Sequence, residues 1–109
     1  MENGTYHVVL RSSGKSVDAT AVVSDGAIEG GGGGYVLQGR LSECDNLLSG
    51  TVLVKKRDPD ARPVLGMFKE VSMDFAGEYD REKRSFHLYG RFHGHHAVEI
   101  RADGKWAGR

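Results

Sequence analysis

Along most of this chain apolar and polar positions alternate with a period of two, the pattern of strands with one buried and one wet face. Tyr6, Val8 and Leu10 fall on one parity, and His7, Val9 and Arg11 on the other. Val17, Ala19, Ala21 and Val23 alternate with Asp18, Thr20, Val22 and Ser24 in the same way. The pattern returns with Tyr35, Leu37, Gly39 and Leu41, then with Leu48, Gly50, Val52 and Val54. Met73, Phe75, Gly77 and Tyr79 form the next run, followed by Phe86, Leu88, Gly90 and Phe92, and by Val98 with Ile100. A short piece around Ala27-Ile28 supplies an eighth strand. Between the runs stand turn formers: Ser13-Gly14, Asp25-Gly26, Asp45-Asn46, Asp80 to Lys83, and Gly94. Closely spaced strands joined by short turns predict a meander and not βαβ units. The longer connection from Asp58 to Gly66 carries both prolines, Pro59 and Pro63, and has room for a single helical turn.

Four of the runs contain an apolar-x-Gly step: Leu37 and Gly39, Leu48 and Gly50, Phe75 and Gly77, Leu88 and Gly90. Each glycine takes the inward parity. Glycine weakens a strand, so its recurrence at one phase asks for a cause. A small barrel provides one, because its interior is crowded and its strands must coil to close. The expected fold is therefore all-β, a small closed antiparallel eight-stranded up-and-down barrel, with an open sandwich as the alternative. Tyr6, Tyr35, Phe75, Tyr79, Phe86 and Phe92 would then line or fill the interior. Glycines and alanines on the same face leave space, and tyrosine hydroxyls are suited to orient a polar headgroup. A solid core and a small apolar ligand are both compatible with this pattern.

Composition narrows the function. A chain of 109 residues suits one domain spanning residues 1–109. Lys plus Arg and Asp plus Glu stand at 15 each, so there is no basic excess of the kind that drives phosphate binding, and direct nucleic-acid contact is disfavoured. The run Lys55-Lys56-Arg57 is answered at once by Asp58 and Asp60. Cys44 is the single cysteine, which rules out an intramolecular disulfide. The N-terminal residues lack the features of a signal peptide, and no apolar run reaches the ~20 residues of a membrane span. A cytoplasmic location is expected.

Candidate chemistry is sparse. Gly14-Lys15-Ser16 has the ending of a P-loop, but Val9 stands where its first glycine belongs and a strand follows. Gly30 to Gly34 reads as a mobile loop. His93, His95 and His96, with His87 nearby, offer imidazoles, yet neither a cysteine nor a carboxylate pair completes a metal set, so no metal and no cofactor are expected. No nucleophile motif is present, and the chain is read as non-enzymatic. Val9, Val22, Val36, Leu53 and Tyr89 are apolar on the outward parity, and clustered they would form a homodimer patch.

Several segments together resemble the GrlR family of small bacterial regulators: Gly4-Thr5-Tyr6, Asp25-Gly26-x-Ile28-x-Gly30-Gly31, Tyr35-x-x-Gln38-Gly39, Leu41-Ser42-Glu43 and Val64-Leu65-Gly66. The resemblance rests on their order and spacing over nearly the whole chain. It implies a lipocalin-like eight-stranded barrel that forms dimers, with an apolar interior. It also implies negative regulation of type III secretion genes by sequestering a DNA-binding transcriptional activator. The family's contact motif, an acidic Glu-Asp-Glu-Asp turn, corresponds here to Glu43, Cys44, Asp45 and Asn46, where two acids remain. Glu43, Asp45 and Asn46 are thus the expected partner-binding loop. The alternative reading is a carrier or sensor of a lipid-like small molecule with no regulatory partner.

Overall fold

The structure, a computed structural model, describes residues 1–12, 14–65, 68–92 and 95–109, with the backbone alone over 95–98. Eight strands follow in chain order: β1 (Gly4–Ser12), β2 (Lys15–Ser24), β3 (Ala27–Gly32), β4 (Tyr35–Cys44), β5 (Leu47–Lys56), β6 (Glu70–Asp80), β7 (Ser85–Phe92) and β8 (His95–Gly108). Each pairs antiparallel with the next, and β8 returns to β1, closing the barrel without a free edge. Short turns enforce this order. Asp25-Gly26, Gly33-Gly34 and Asp45-Asn46 are two-residue connections in which both residues have positive φ. That is the turn type whose twist matches the flanking strands.

The alternation in the sequence becomes the inside and outside of the barrel. Tyr6, Val8 and Leu10 are buried, as are Val17 to Val23 on alternate positions, and Leu48, Val52 and Val54 opposite. The inward glycines are required by more than interior crowding. At Gly39, Gly50 and Gly77 an added Cβ would run into the neighbouring strand's backbone, within 2.6 Å of Val52 Cα, 2.9 Å of Leu41 Cα and 2.9 Å of Leu88 Cα respectively. At Gly90 the space is taken by a side chain, the ring of Phe75 on the adjoining strand. The Phe86 ring covers Gly104 in the same manner.

Three expectations are corrected. Gly30, Gly31 and Gly32 are not loop but the end of β3, paired with β2 and β4, and only Gly33-Gly34 turn. A Cβ at Gly30 would stand 2.7 Å from Ala21 Cα, so a strand there needs glycine. The last strand runs on to Gly108, well past Ile100. Its inward parity there carries the small Ala102 and Gly104 before the partly buried Trp106, which leaves little period-two signal directly after Ile100. The described part of the β5–β6 connection holds turns and no helix.

The two ends of the barrel are stoppered differently. At one, the β5–β6 connection buries Val64 and Leu65 over the mouth, and Phe68 meets Phe92 edge to face at 5.1 Å. At the other, residues 1–3 cross the opening beside the β2–β3, β4–β5 and β6–β7 turns.

Candidate functional site

The β4–β5 turn is built on Asp45 and Asn46, with φ of 49° and 67°. Asn and Asp tolerate this left-handed conformation better than other side-chain-bearing residues, so the turn itself accounts for both. Glu43 stands two residues before the turn on the inward parity of β4, where it faces the barrel mouth and is half-buried. Its carboxylate pairs with the Met1 amino group and with Arg81, the latter at 2.6 Å. Arg81 also donates from Nε to Asn46 Oδ1 at 2.8 Å, while Tyr79 N donates to the Asn46 carbonyl at 2.8 Å. The β4–β5 and β6–β7 turns are thereby locked together. Of the expected contact residues, Glu43 and Asn46 are spent on this internal lock, and Asp45 is exposed beside Cys44 and Leu47. Arg81 is the residue that sequence reasoning missed. No local signal marks it, since it lies 38 positions from Glu43 and reaches it only through the β5–β6 register.

All six aromatic residues expected in the interior are there: Tyr6, Tyr35, Phe75, Tyr79, Phe86 and Phe92 are each no more than 4% exposed. The three tyrosine hydroxyls bond to the chain's own backbone and, between Tyr6 and Tyr79, to each other. Tyr6 donates to the Glu2 carbonyl at 2.6 Å, which leaves Tyr79 to donate to Tyr6 at 3.2 Å, and Tyr79 in turn accepts from Glu2 N at 3.3 Å. Burial, then the Tyr79 hydroxyl, raises the Tyr6 phenol well above its ordinary pKa. Tyr35 donates to the Arg62 carbonyl and accepts from Val64 N, so it pins the β5–β6 connection; burial raises its pKa as well. The three hydroxyls therefore anchor the two stoppers. The space left between the side chains is about 30 Å³, lined by residues such as Val8, Val23, Phe75 and Phe86. A drug-sized ligand occupies a pocket of ~300–1,000 Å³.

The outward apolar residues do not form one patch. Val22 on β2 and Tyr89 on β7 are exposed, while Val9, Val36 and Leu53 are half-buried on β1, β4 and β5. Only Val36 and Leu53 are diagonal neighbours. Around Tyr89 the outer surface is charged. Arg11 and Arg101 face each other across β1 and β8, a repulsive pairing that Asp103 relieves at 3.6 and 3.1 Å. His87 Nδ1 lies 2.6 Å from the same carboxylate. Burial opposes ionisation of Asp103, but its bonds to His87 and Arg101 outweigh that and hold its pKa below the usual carboxylate range. The stability this confers is present above about pH 4 and is lost as pH falls through the depressed folded value. Asp103→Asn should lower stability at pH 7 and flatten the acid limb below about pH 4, read as urea midpoint against pH. An unchanged acid limb would remove Asp103 from the account.

The His93–His96 cluster, on which the sequence offered imidazoles, lies outside the described residues apart from the backbone of His95 and His96. Among the described residues no group of three or more His, Cys, Asp or Glu is arranged to hold a metal ion. Nor is any helix long and apolar enough to cross a membrane. The model of the family described as "T3SS negative regulator, GrlR" matches residues 1–109. Curated proteins give no match.

Proposed function

The chain belongs to the GrlR family of type III secretion negative regulators, and from that premise we propose that it represses by holding a transcriptional activator in the cytoplasm. The contact is protein to protein, made at the rim around the β4–β5 turn, and involves no catalysis. The observation that carries this reading is the exposure of Asp45 and Leu47 on a turn that Arg81 and Tyr79 hold rigid. Binding residues are commonly displayed in this way, on a loop fixed by a stiff scaffold. A chain of zero formal net charge suits contact with a DNA-binding protein better than contact with DNA. The dimer that the resemblance implies belongs to the same proposal, and native mass spectrometry reads it directly. Carriage of a lipid-like molecule, or tuning by one, receives less support, because an interior space of about 30 Å³ holds little more than one water.

Deletion of the gene in its native host should raise transcription of type III secretion genes. Wild-type protein should restore repression and co-purify with the activator, whereas Asp45→Arg at equal abundance should do neither. Full repression by Asp45→Arg would sink the assignment of the rim.

A further inference from the structure

On the outside of the barrel, strand register lines up four side chains across β7, β8, β1 and β2. Tyr89 is in register with Arg101, Arg101 with Arg11, and Arg11 with Ser16. They border a groove of about 480 Å³ beside the β1–β2 turn, whose lining also includes Lys15 and Glu99. Glu99 is answered by Arg91 at 3.6 Å, so the groove sets the cations Arg11, Lys15 and Arg101 against a carboxylate that is already paired. Two further observations point to an anionic, aromatic ligand. Arg11 and Arg101 stand directly opposite each other, and like charges so placed destabilise a sheet. Asp103 contacts them at 3.6 and 3.1 Å but also takes His87 at 2.6 Å. One carboxylate thus serves two guanidiniums, and positive charge is left in excess. Beside them Tyr89 is 58% exposed, with the Arg101 guanidinium 5.8 Å from its ring centre.

We infer that this groove binds a nucleoside phosphate, with the phosphate between Arg11 and Arg101 and the base stacked on Tyr89. Planar guanidiniums grip a phosphate through paired N–H donors, and a phosphate here would relieve the repulsion between them. Lys15 and Ser16 supply an ammonium and a hydroxyl at the edge of the same space. Neighbouring strands lie ~4.8 Å apart, so the gap between the two arginines is roughly 7 Å from the Tyr89 strand, the reach of one ribose. Every base offers a π face, so stacking selects the class of ligand and not the base. The groove has the size of a small-molecule site. A nucleic-acid strand is disfavoured, because a chain of zero formal net charge provides no track of cations for successive phosphates. The groove shares no residue with the β4–β5 rim, so the inference stands apart from the proposed partner surface.

The test is calorimetric titration of the full chain, in phosphate-free buffer at low salt, with guanosine monophosphate, guanosine and inorganic phosphate. The monophosphate should bind roughly tenfold or more tightly than either fragment. Tyr89→Ala should weaken the monophosphate roughly tenfold, as loss of a stacking platform does, and leave inorganic phosphate unchanged. Arg11→Gln should weaken both roughly tenfold while leaving Tm no lower than that of wild type, since it removes a like-charge pair. Arg101→Lys keeps a charge beside Asp103 but loses the planar fork, so it should fold normally and still bind the monophosphate several-fold more weakly. Lys55→Gln, an exposed cation on β5, is the charge control and should bind as wild type does. No binding of the monophosphate, guanosine binding as tightly as the monophosphate, or equal loss in Lys55→Gln overturns the inference. Retention on phosphatidylglycerol vesicles without binding of the monophosphate also overturns it, and would give this face to an anionic lipid surface.

Discussion

Gly77→Val should cost at least ~3 kcal/mol, the upper end of the usual penalty for overpacking. An added Cβ at Gly77 meets the His87 carbonyl oxygen, its carbon at 2.8 Å and Leu88 Cα at 2.9 Å. All three are backbone atoms of β7, so no flexible side chain is available to move aside. Relief requires β6 and β7 to separate where Gly77 is in register with Leu88, which strains the ladder that closes the barrel. For a domain near this size the loss corresponds to a fall in Tm of roughly 10–20 °C. Ala76→Val, one residue away on the exposed face, should stay within about 0.5 kcal/mol, because the branched side chain suits a strand and meets water. Equal effects at the two positions would show that the inward assignment of Gly77 is wrong. From the sequence the inward glycines were assigned to a crowded interior and to the coiling of strands, whereas at Gly77 the obstacle is the backbone of the next strand.

Phe86→Ala should destabilise by ~3–5 kcal/mol, through lost burial and the cavity left behind. The Phe86 ring packs against Tyr6 with centroids 5.4 Å apart, covers Gly104 and lines the 30 Å³ space at the centre of the barrel. Of the large neighbours, Tyr6 is tied by its hydroxyl to the Glu2 carbonyl and the Phe75 ring is seated over Gly90, while the other residues around the space include the smaller Val8, Ala21 and Ala102. The enlarged cavity would be apolar and dry, a setting in which a small aromatic molecule binds. Benzene should therefore raise the Tm of Phe86→Ala and leave wild type unchanged. A stabilising effect of benzene on wild type would instead mean that the interior admits ligands as folded, and would revive the carrier reading.

Much of this architecture was legible in the sequence because strand parity is a local property. Tyr6, Val8 and Leu10 lie inside, and His7 and Arg11 outside, from alternation alone. The turns at Asp25-Gly26 and Asp45-Asn46 followed from residues that accept positive φ. The signal failed where side chains are small. Gly30 to Gly32 read as loop, and the run past Ile100 went unassigned because Ala102 and Gly104 stand between Ile100 and Trp106, although β8 is the strand that closes the barrel. A strand position without a large side chain leaves no trace in hydropathy, and its pairing comes from the neighbours.

The chain's alternation and turn chemistry determined by themselves that it forms a meander of strands with an aromatic inner face. Tertiary structure alone decided what those aromatics do and which charges share a surface. The hydroxyls of Tyr6, Tyr35 and Tyr79 hold the stoppers in place, and Glu43 is drawn into a pair with Arg81. Glu78, Asp80 and Glu82 come to stand beside Asp45 and Leu47 from more than thirty positions away. Parity is set residue by residue by steric pleating, so it can be read along the chain. Hydrogen bonds and ion pairs between turns depend on barrel closure and register, which bring distant residues together and are fixed only when the whole sheet forms.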